Sequence, residues 1–289
     1  MNRFIIPQWV KDLDFEYEDY TQLPAEFLAN VKKGLVRFSE PNPEVSIIIP
    51  AWNEEKSIVK TLASFSELTL PFRTELIVVN NNSTDRTQEI LDYFGVTSYF
   101  QPIQGISITR QLGLEKAKGN IILSADADSL YPPQWGTNFA QLLQNPAISV
   151  VYGRYSFIPS TGSRIWLAVH EILAETIFYL RRGKKDFLNV MGFNFAYRRD
   201  EAFAVGGFSR IQMKWEDGMM AKRLQDQFGK IALVATSDSR PWTSDRRLMA
   251  DGGLFKAFVR RLKKEFKFLH ELLPTSNYDP ATAKKIVNV

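Results

Sequence analysis

The chain has 289 residues, of which 45% are hydrophobic, 24% charged and 13% aromatic; this is globular composition with room for a large core, and it excludes disordered, collagen-like and low-complexity chains. There is no cysteine and there are only two histidines, His170 and His270, which removes disulfides, thiolate nucleophiles, Fe–S clusters and multi-histidine zinc, so any metal must rest on oxygen and be Mg²⁺ or Mn²⁺. Net charge is +4, but Leu254 to Leu273 alone holds six bases against two acids, so the rest of the chain is neutral and no nucleic-acid surface is implied.

Residues 1–44 carry eight acids and five bases. They are predicted to form an N-terminal extension with one short helix near Pro24 to Phe38, closed off by Pro41 and Pro43. The opening apolar run is too short for a signal peptide, and no stretch approaches about 18 apolar residues. The expected location is therefore cytoplasmic, with attachment to a membrane surface left open. Val45 to Pro50 is a β-branched run of the buried-strand type. A helix is predicted next, with Asn53 as N-cap, Glu54 and Glu55 in its first turn, and Ile58, Leu62 and Phe65 on one face. Leu76 to Val79 predicts a second strand. The polar turn Asn80 to Asp85 leads into a helix bearing Ile90, Leu91 and Phe94. Tyr99 and Phe100 suggest a third strand. Ile106 to Ala117 reads as helix and Asn120 to Ser124 as strand, running into Asp126-Ala127-Asp128.

This alternation of strand and helix predicts an α/β fold, a mostly parallel central sheet flanked by helices. Ligands of such sheets bind at the carboxyl ends of the strands. Three polar segments fall there: Pro50 to Glu55, Asn80 to Asp85, and Asp126 to Asp128. The second half is less regular. Strands are predicted at Val150 to Gly153, Asn189 to Tyr197 and Ile231 to Ala235. Helices are predicted at Ile165 to Leu180 and from Trp215 onward, with a turn at Gly206 to Phe208 and a mobile loop from Thr236 to Gly253.

Asp126 and Asp128 flank one small residue at the end of an apolar strand. In an extended segment both would face one side. Two hard oxygen ligands suit a divalent cation that also binds a diphosphate; the plain alternative is a solvated acidic turn.

At these residues the sequence resembles a family 2 glycosyltransferase of the GT-A fold. The resemblance is carried by Ser46 to Glu55, by Val78 to Asp85, by Gly105 to Gly119 with Arg110 and Gly113, and by Asn120 to Ser129. Further on, Gly192-Phe193-Asn194, Gly206-Gly207-Phe208 and Glu216-Asp217 recur in the expected order. It spans roughly 45–240, and it sets a division into extension 1–44, GT-A domain 45–240, and loop plus C-terminal helix 241–289. It implies transfer of a sugar, with inversion, from a nucleoside-diphosphate donor, UDP-linked, to a saccharide or lipid-linked acceptor hydroxyl.

Residue by residue, the resemblance puts Pro50, Ala51, Asn53 and Glu55 in the base and ribose pocket. It puts Asn81 on the base, where many members have Asp; an amide still offers both a donor and an acceptor. Asp128 is the implied metal ligand, and Asp126 supports the donor's ribose or sugar. Gly192 and Asn194 lie beside the donor sugar. Arg110 reads two ways, as a phosphate or donor contact or as a surface arginine. Glu216-Asp217 is the expected acid pair, with Asp217 as the base and Glu216 as an acceptor contact; the alternative is ordinary helix N-terminal acids. Trp215 is either a stacking platform for a sugar or core. Arg246 and Arg247 match the family's motif poorly and are either a diphosphate clamp or a basic surface loop. His170 reads as structural.

From Phe255 to Leu273 an apolar helical stripe faces a basic one. This suits either an interfacial helix on anionic lipid or a helix docked on the domain. Two rival functions remain in view: a polyprenyl-phosphate sugar transferase, and a nucleotide-sugar-binding protein without catalysis. No G-x-G-x-x-G or P-loop pattern is present, so dehydrogenase and P-loop NTPase folds are disfavoured.

Overall fold

The computed structural model describes residues 3–160, 163–182, 185–208 and 215–250. The chain divides into two compact units, Met1–Ser244 and Asp245–Val289. In the first unit the elements run α1 (Gln8–Leu13), α2 (Ala25–Leu35), β1 (Val45–Ala51), α3 (Ile58–Ser66), β2 (Thr74–Asn80), α4 (Thr87–Phe94), β3 (Thr97–Phe100), α5 (Ile106–Lys116), β4 (Ile121–Ser124) and β5 (Ser129–Leu130). They continue with α6 (Trp135–Leu143), β6 (Ile148–Gly153), β7 (Ser156–Ile158), α7 (Arg164–Arg181), β8 (Phe195–Arg198), α8 (Arg199–Ala204), α9 (Glu216–Phe228), β9 (Lys230–Val234) and β10 (Trp242–Ser244). In the second unit one short helix is described, α10 (Arg246–Ala250).

The main sheet has the order β3-β2-β1-β4-β8-β6-β9. β1 pairs in parallel with β2 and β4, β8 runs antiparallel between β4 and β6, and β9 is parallel to β6. The carboxyl ends of β1, β2, β4, β6 and β9 therefore share one edge, together with the amino end of β8. A small sheet, β5-β10-β7, adjoins it. β1 is an apolar run because both of its faces are covered. Ile47 and Ile49 join the core under α2, α3, α4 and α6, while Ile48 joins the core under α5 and α9. Gly113 lets α5 approach β1, since a Cβ there would strike Ile48. The α2 residues Leu28, Val31 and Leu35, with Phe38 beyond, are buried in the same core as β1, one stripe at helical spacing.

Four local expectations differ from the structure. Asn53 is not a helix N-cap: it is left-handed (φ 53°), and α3 begins only at Ile58. Its side-chain oxygen is taken by Thr84 N–H (2.8 Å) rather than by its own helix, so Glu54 and Glu55 precede the helix. Ala127 and Asp128 form a turn and not an extended segment, so strand alternation does not set the direction of the two aspartates. Asn189 to Tyr197 is not one strand. Asp186–Asn189 is a 3₁₀ turn, fastened because Asn189 Nδ2 donates to Phe178 O (3.1 Å) and Tyr152 Oη (3.3 Å); the strand starts at Phe195. Thr236 onward is not a continuous loop, since it contains a 3₁₀ turn at Ser237–Ser239, then β10 and α10. Trp242 makes the difference: it is buried, pairs with Leu130 and Ser156, and lies under the Arg164 guanidinium at 4.9 Å. The amphipathic stripe from Phe255 to Leu273 lies outside the described residues. Among the described residues no helix is long and apolar enough to cross a membrane.

Candidate active site

The turns after β1 and β2 are laced into one surface. Asn81 N–H donates to Ala51 O (2.8 Å), which extends the strand pairing by one step. Asn53 N–H donates to Ser83 Oγ (3.0 Å), Glu54 N–H to Thr87 Oγ1 (2.8 Å) and Glu55 N–H to Asp85 Oδ2 (3.0 Å). In return the Glu55 carboxylate accepts from Arg86 N–H (3.1 Å). Backbone donors from each turn thus meet side-chain oxygens of the other, and Pro50, Ala51, Asn53 and Glu55 are held beside Asn80 to Asp85.

Asn81 is buried, and its amide bridges to the loop before α5. Nδ2 donates to Ile103 O (2.7 Å), and Oδ1 accepts from Gly105 N–H (2.9 Å). A carboxylate at this position has no proton for Ile103 O, which gives a physical reason for an amide here. Trp52, missed in the sequence, lies beside these turns with 54% of its surface exposed. A large exposed aromatic next to a polar turn was the available signal.

The acid centre is organised by Arg110. It projects from α5 and is buried, so the surface-arginine alternative fails. Nη1 donates to Ser124 Oγ (2.5 Å) and Nη2 to Asp126 Oδ1 (2.9 Å). Nε lies 3.9 Å from Glu216 Oε1, an ion-pair distance and not a hydrogen bond. Burial pulls the guanidinium down, but Asp126, Asp217 and Glu216 together outweigh it and hold it above its ordinary value. Burial raises the Asp217 carboxyl, with Arg110 pulling it partly back. Burial, then the Asp217 charge, raises Glu216, again against Arg110. One cation thus stands among three carboxylates, two of which are stronger bases than usual.

Tyr131 fixes the D-x-D segment and was not legible in the sequence. Its hydroxyl accepts from Asp126 N–H (2.8 Å) and donates to Phe193 O (3.0 Å). Burial pushes the phenol far up, so it stays a neutral donor. Ala127 O accepts from Thr61 Oγ1 (2.8 Å). Asp128, half-buried, follows directly, just ahead of β5.

Gly192 packs on this centre. A Cβ there would meet the Arg110 guanidinium carbon at 2.9 Å and Asp217 Oδ2 at 3.0 Å. Gly192→Ala is therefore expected to separate Arg110 from Asp217 and lower activity by about tenfold or more, since small displacements of catalytic groups are costly; steady-state kinetics of a normally folded variant checks it. Asn194 is fully buried. Its Oδ1 accepts from Trp135 Nε1 (2.8 Å) and its Nδ2 donates to Arg154 O (2.9 Å), so its amide is spent on protein. Trp215 is exposed and left-handed (φ 66°) immediately before Glu216. That removes the core alternative, and a non-glycine outlier beside the acid pair is a mark of a constrained site. Arg246 and Arg247 fall on α10, in the second unit.

Residues 46–203 match the family model described as glycosyl transferase family 2. The chain belongs to glycosyltransferase family 2. A relative in Bacillus subtilis, the probable glycosyltransferase YdaM, is 29% identical over 62% of this chain and 44% of its own length. Glycosyltransferase AglE of Haloferax volcanii is 31% identical over 42% of each chain. The match thus spans about half or less of these curated relatives. Among solved structures, the mannosyltransferase PcManGT of Pyrobaculum calidifontis, in complex with GDP-Man and Mn²⁺, superposes with a TM-score of 0.57 at 18% identity, covering 82% of this chain and 72% of that one. S. aureus TarS in complex with UDP gives 0.58 at 17% identity, covering 70% and 60%. The family 2 chain thus has the glycosyltransferase GT-A architecture.

Among the described residues of this glycosyltransferase, no three His, Asp or Glu side chains gather into a metal cage. The donor set fits a cation shared with a ligand: few, hard oxygens, of which Asp126 is already engaged by Arg110.

Proposed function

We propose that this glycosyltransferase moves a sugar from a nucleoside-diphosphate donor, UDP-linked, to a hydroxyl of a saccharide or lipid-linked acceptor, with inversion. The observation that carries the reading is Arg110: one buried guanidinium joins Asp126 on the D-x-D segment to the Glu216-Asp217 pair across the crevice. The laced turns after β1 and β2 take the nucleotide, with Asn53, Glu55 and the exposed Trp52 at the base and ribose. Asp126, with one oxygen on Arg110, keeps the other for a donor hydroxyl. Asp128 holds Mg²⁺ or Mn²⁺, which supplies the positive charge that makes the diphosphate a good leaving group.

Asp217 takes the proton from the acceptor hydroxyl as that oxygen attacks the anomeric carbon from the face opposite the diphosphate. A general base needs to be within reach and to be basic enough. Burial makes the Asp217 carboxylate a stronger base than an ordinary aspartate, and Arg110 opposes part of that rise. Arg110 and Gly192 position Asp217, and Trp215 offers an apolar face for a sugar ring.

A thermal-shift panel of UDP-, GDP- and dTDP-sugars with and without Mn²⁺ tests this. At a hundred times the dissociation constant a ligand stabilises by about 2.7 kcal/mol, a Tm rise of roughly 4–5 °C for a chain of this size. The expected result is a rise with one donor class that needs Mn²⁺ and disappears in Asp128→Asn. No rise with any donor sinks the reading.

A further inference from the structure

The carboxyl edge continues past the acid centre. The nucleotide turns lie at its β1–β2 end, and Asp126 and Gly192 at β4 and β8. On the far side Arg154 and Ser237, which follow β6 and β9, wall a second recess with Arg3, Ser156, Arg240 and Trp242. Its cavity holds about 160 Å³, smaller than the roughly 300 Å³ or more of a drug-sized ligand site and suited to one small polar group.

Its charge is unbalanced. Glu175 on α7 pairs with Arg3 (2.8 Å), Arg154 (3.2 Å) and Arg240 (2.8 Å). Glu171, one turn earlier, is forked by Arg164 at 2.8 Å through both of its oxygens and also takes Ser156 Oγ (3.1 Å). Among the described residues, four guanidiniums therefore face two carboxylates. Arg240 is buried and donates to Ser156 Oγ as well (3.2 Å). Burial pulls its guanidinium down and Arg3 pushes it further, with Glu175 only partly offsetting them. Each guanidinium carries five N–H donors, far more than one shared carboxylate uses. The buried guanidiniums of Arg164 and Arg240 are matched by Glu171 and Glu175; the excess lies on Arg3 and Arg154, whose side chains keep 29% of their surface at the recess, where an incoming anion can reach their unused donors.

We propose that this recess binds a phosphate group, carried by the acceptor at a point away from its reacting hydroxyl. Arginine forks match phosphate oxygens in charge and geometry. Two strand steps separate β4 from β6, about 10 Å, so a phosphate held by Arg154 is out of bonding reach of the D-x-D segment and serves recognition. With the donor at the β1–β2 end, the β6–β9 end is the side left for the second substrate. The occupant's identity as an acceptor rests on the glycosyltransferase reading; the anion site does not.

The test titrates inorganic phosphate into the full chain and reads thermal stabilisation. Saturable stabilisation is expected, with apparent affinity weakened about tenfold in Arg3→Gln and in Arg154→Gln, each losing one charged contact. Asp128→Asn should leave it unchanged. Glu175→Gln removes the internal competitor and should tighten phosphate binding, a direction that mere structural damage does not produce. No saturable effect, or equal affinity in wild type and both arginine variants, overturns the site. Phosphatidylcholine vesicles with and without phosphatidic acid separate the sources. Co-sedimentation that requires phosphatidic acid and Arg154 assigns the phosphate to a lipid headgroup. A phosphate effect without vesicle dependence assigns it to a soluble saccharide phosphate. Loss of the phosphate effect with Mn²⁺-dependent donor binding intact sinks only this inference, and the converse pattern sinks only the glycosyltransferase reading.

Discussion

Asp217→Asn is expected to lower kcat by about 10³-fold, within the roughly 10²–10⁴ that a positioned base contributes, while donor binding survives. The amide keeps the shape of the carboxylate and removes its ability to take a proton. In the wild type, activity should fall as pH drops through the raised Asp217 pKa, so the acid limb of the kcat/KM profile lies above the ordinary aspartate value of about 3.9. Stability runs the other way. A carboxyl whose folded pKa is raised binds more protons folded than unfolded across that interval, so its ionisation costs stability as pH rises through it. Asp217→Asn should therefore melt at or above the wild-type temperature at neutral pH. Loss of activity with unimpaired stability is the signature of a site that gives up stability for function. Activity within a few-fold of wild type would remove Asp217 as the base. It would favour a phosphate nucleophile, which has no proton to surrender, and so the polyprenyl-phosphate alternative.

How much of this was visible in the sequence depends on range. β1 and β2 were legible because strands covered on both faces need apolar residues at every position, as Ile47 to Ile49 and Leu76 to Val79 show. The three polar strand-end segments were legible because parallel topology sends them all to one edge. What bound those segments together was not. Tyr131, which accepts from Asp126 N–H, reaches Phe193 across 62 positions, and Trp242 pairs with Leu130 and Ser156 from still further along the chain. No local pattern encodes such pairings. The strand expected at Asn189 failed for the same reason, since the side-chain amide of Asn189 finds its partners on α7 and β6. Arg110 was ambiguous because α5 has little amphipathic signal; only the packed structure shows that the helix turns a cation inward.

The D-x-D segment shows the limit of reading geometry from alternation. Two aspartates spaced by one residue predict a shared direction only in extended backbone, and here Ala127 and Asp128 form a turn. What the structure does show is that Asp126 is tied down, its carboxylate by Arg110 and its backbone N–H by Tyr131, while Asp128 lies within the turn itself. The arginine recess was invisible in the sequence altogether, because Arg3, Arg154 and Arg240 are scattered over the chain and meet only through Glu175.

Arg110→Met is expected to be the most disruptive single change in the site. The substitution keeps an apolar stem and deletes the charge, leaving Asp126, Glu216 and Asp217 without their shared cation. Removing one partner of a buried ion pair costs about 3–5 kcal/mol, here a Tm loss of roughly 5–8 °C. The loss should depend on pH with a definite sign. Without Arg110 the folded pKa of Asp217 and of Glu216 rises further, so stability is lost as pH increases through those values and regained on acidification. Arg110→Lys keeps the charge but cannot span Ser124, Asp126 and the approach to Glu216 from one rigid fork, and should fall between Met and wild type. The decisive comparison is Arg110→Met combined with Asp217→Asn. Neutralising one of the stranded carboxylates should recover part of the lost Tm, a positive coupling in the double-mutant cycle, while activity stays absent. Melting curves across pH for the four proteins measure it. If Arg110→Met melts with the wild type at every pH, or the double variant shows no recovery, the guanidinium does not balance these carboxylates and the account of the crevice built on it fails.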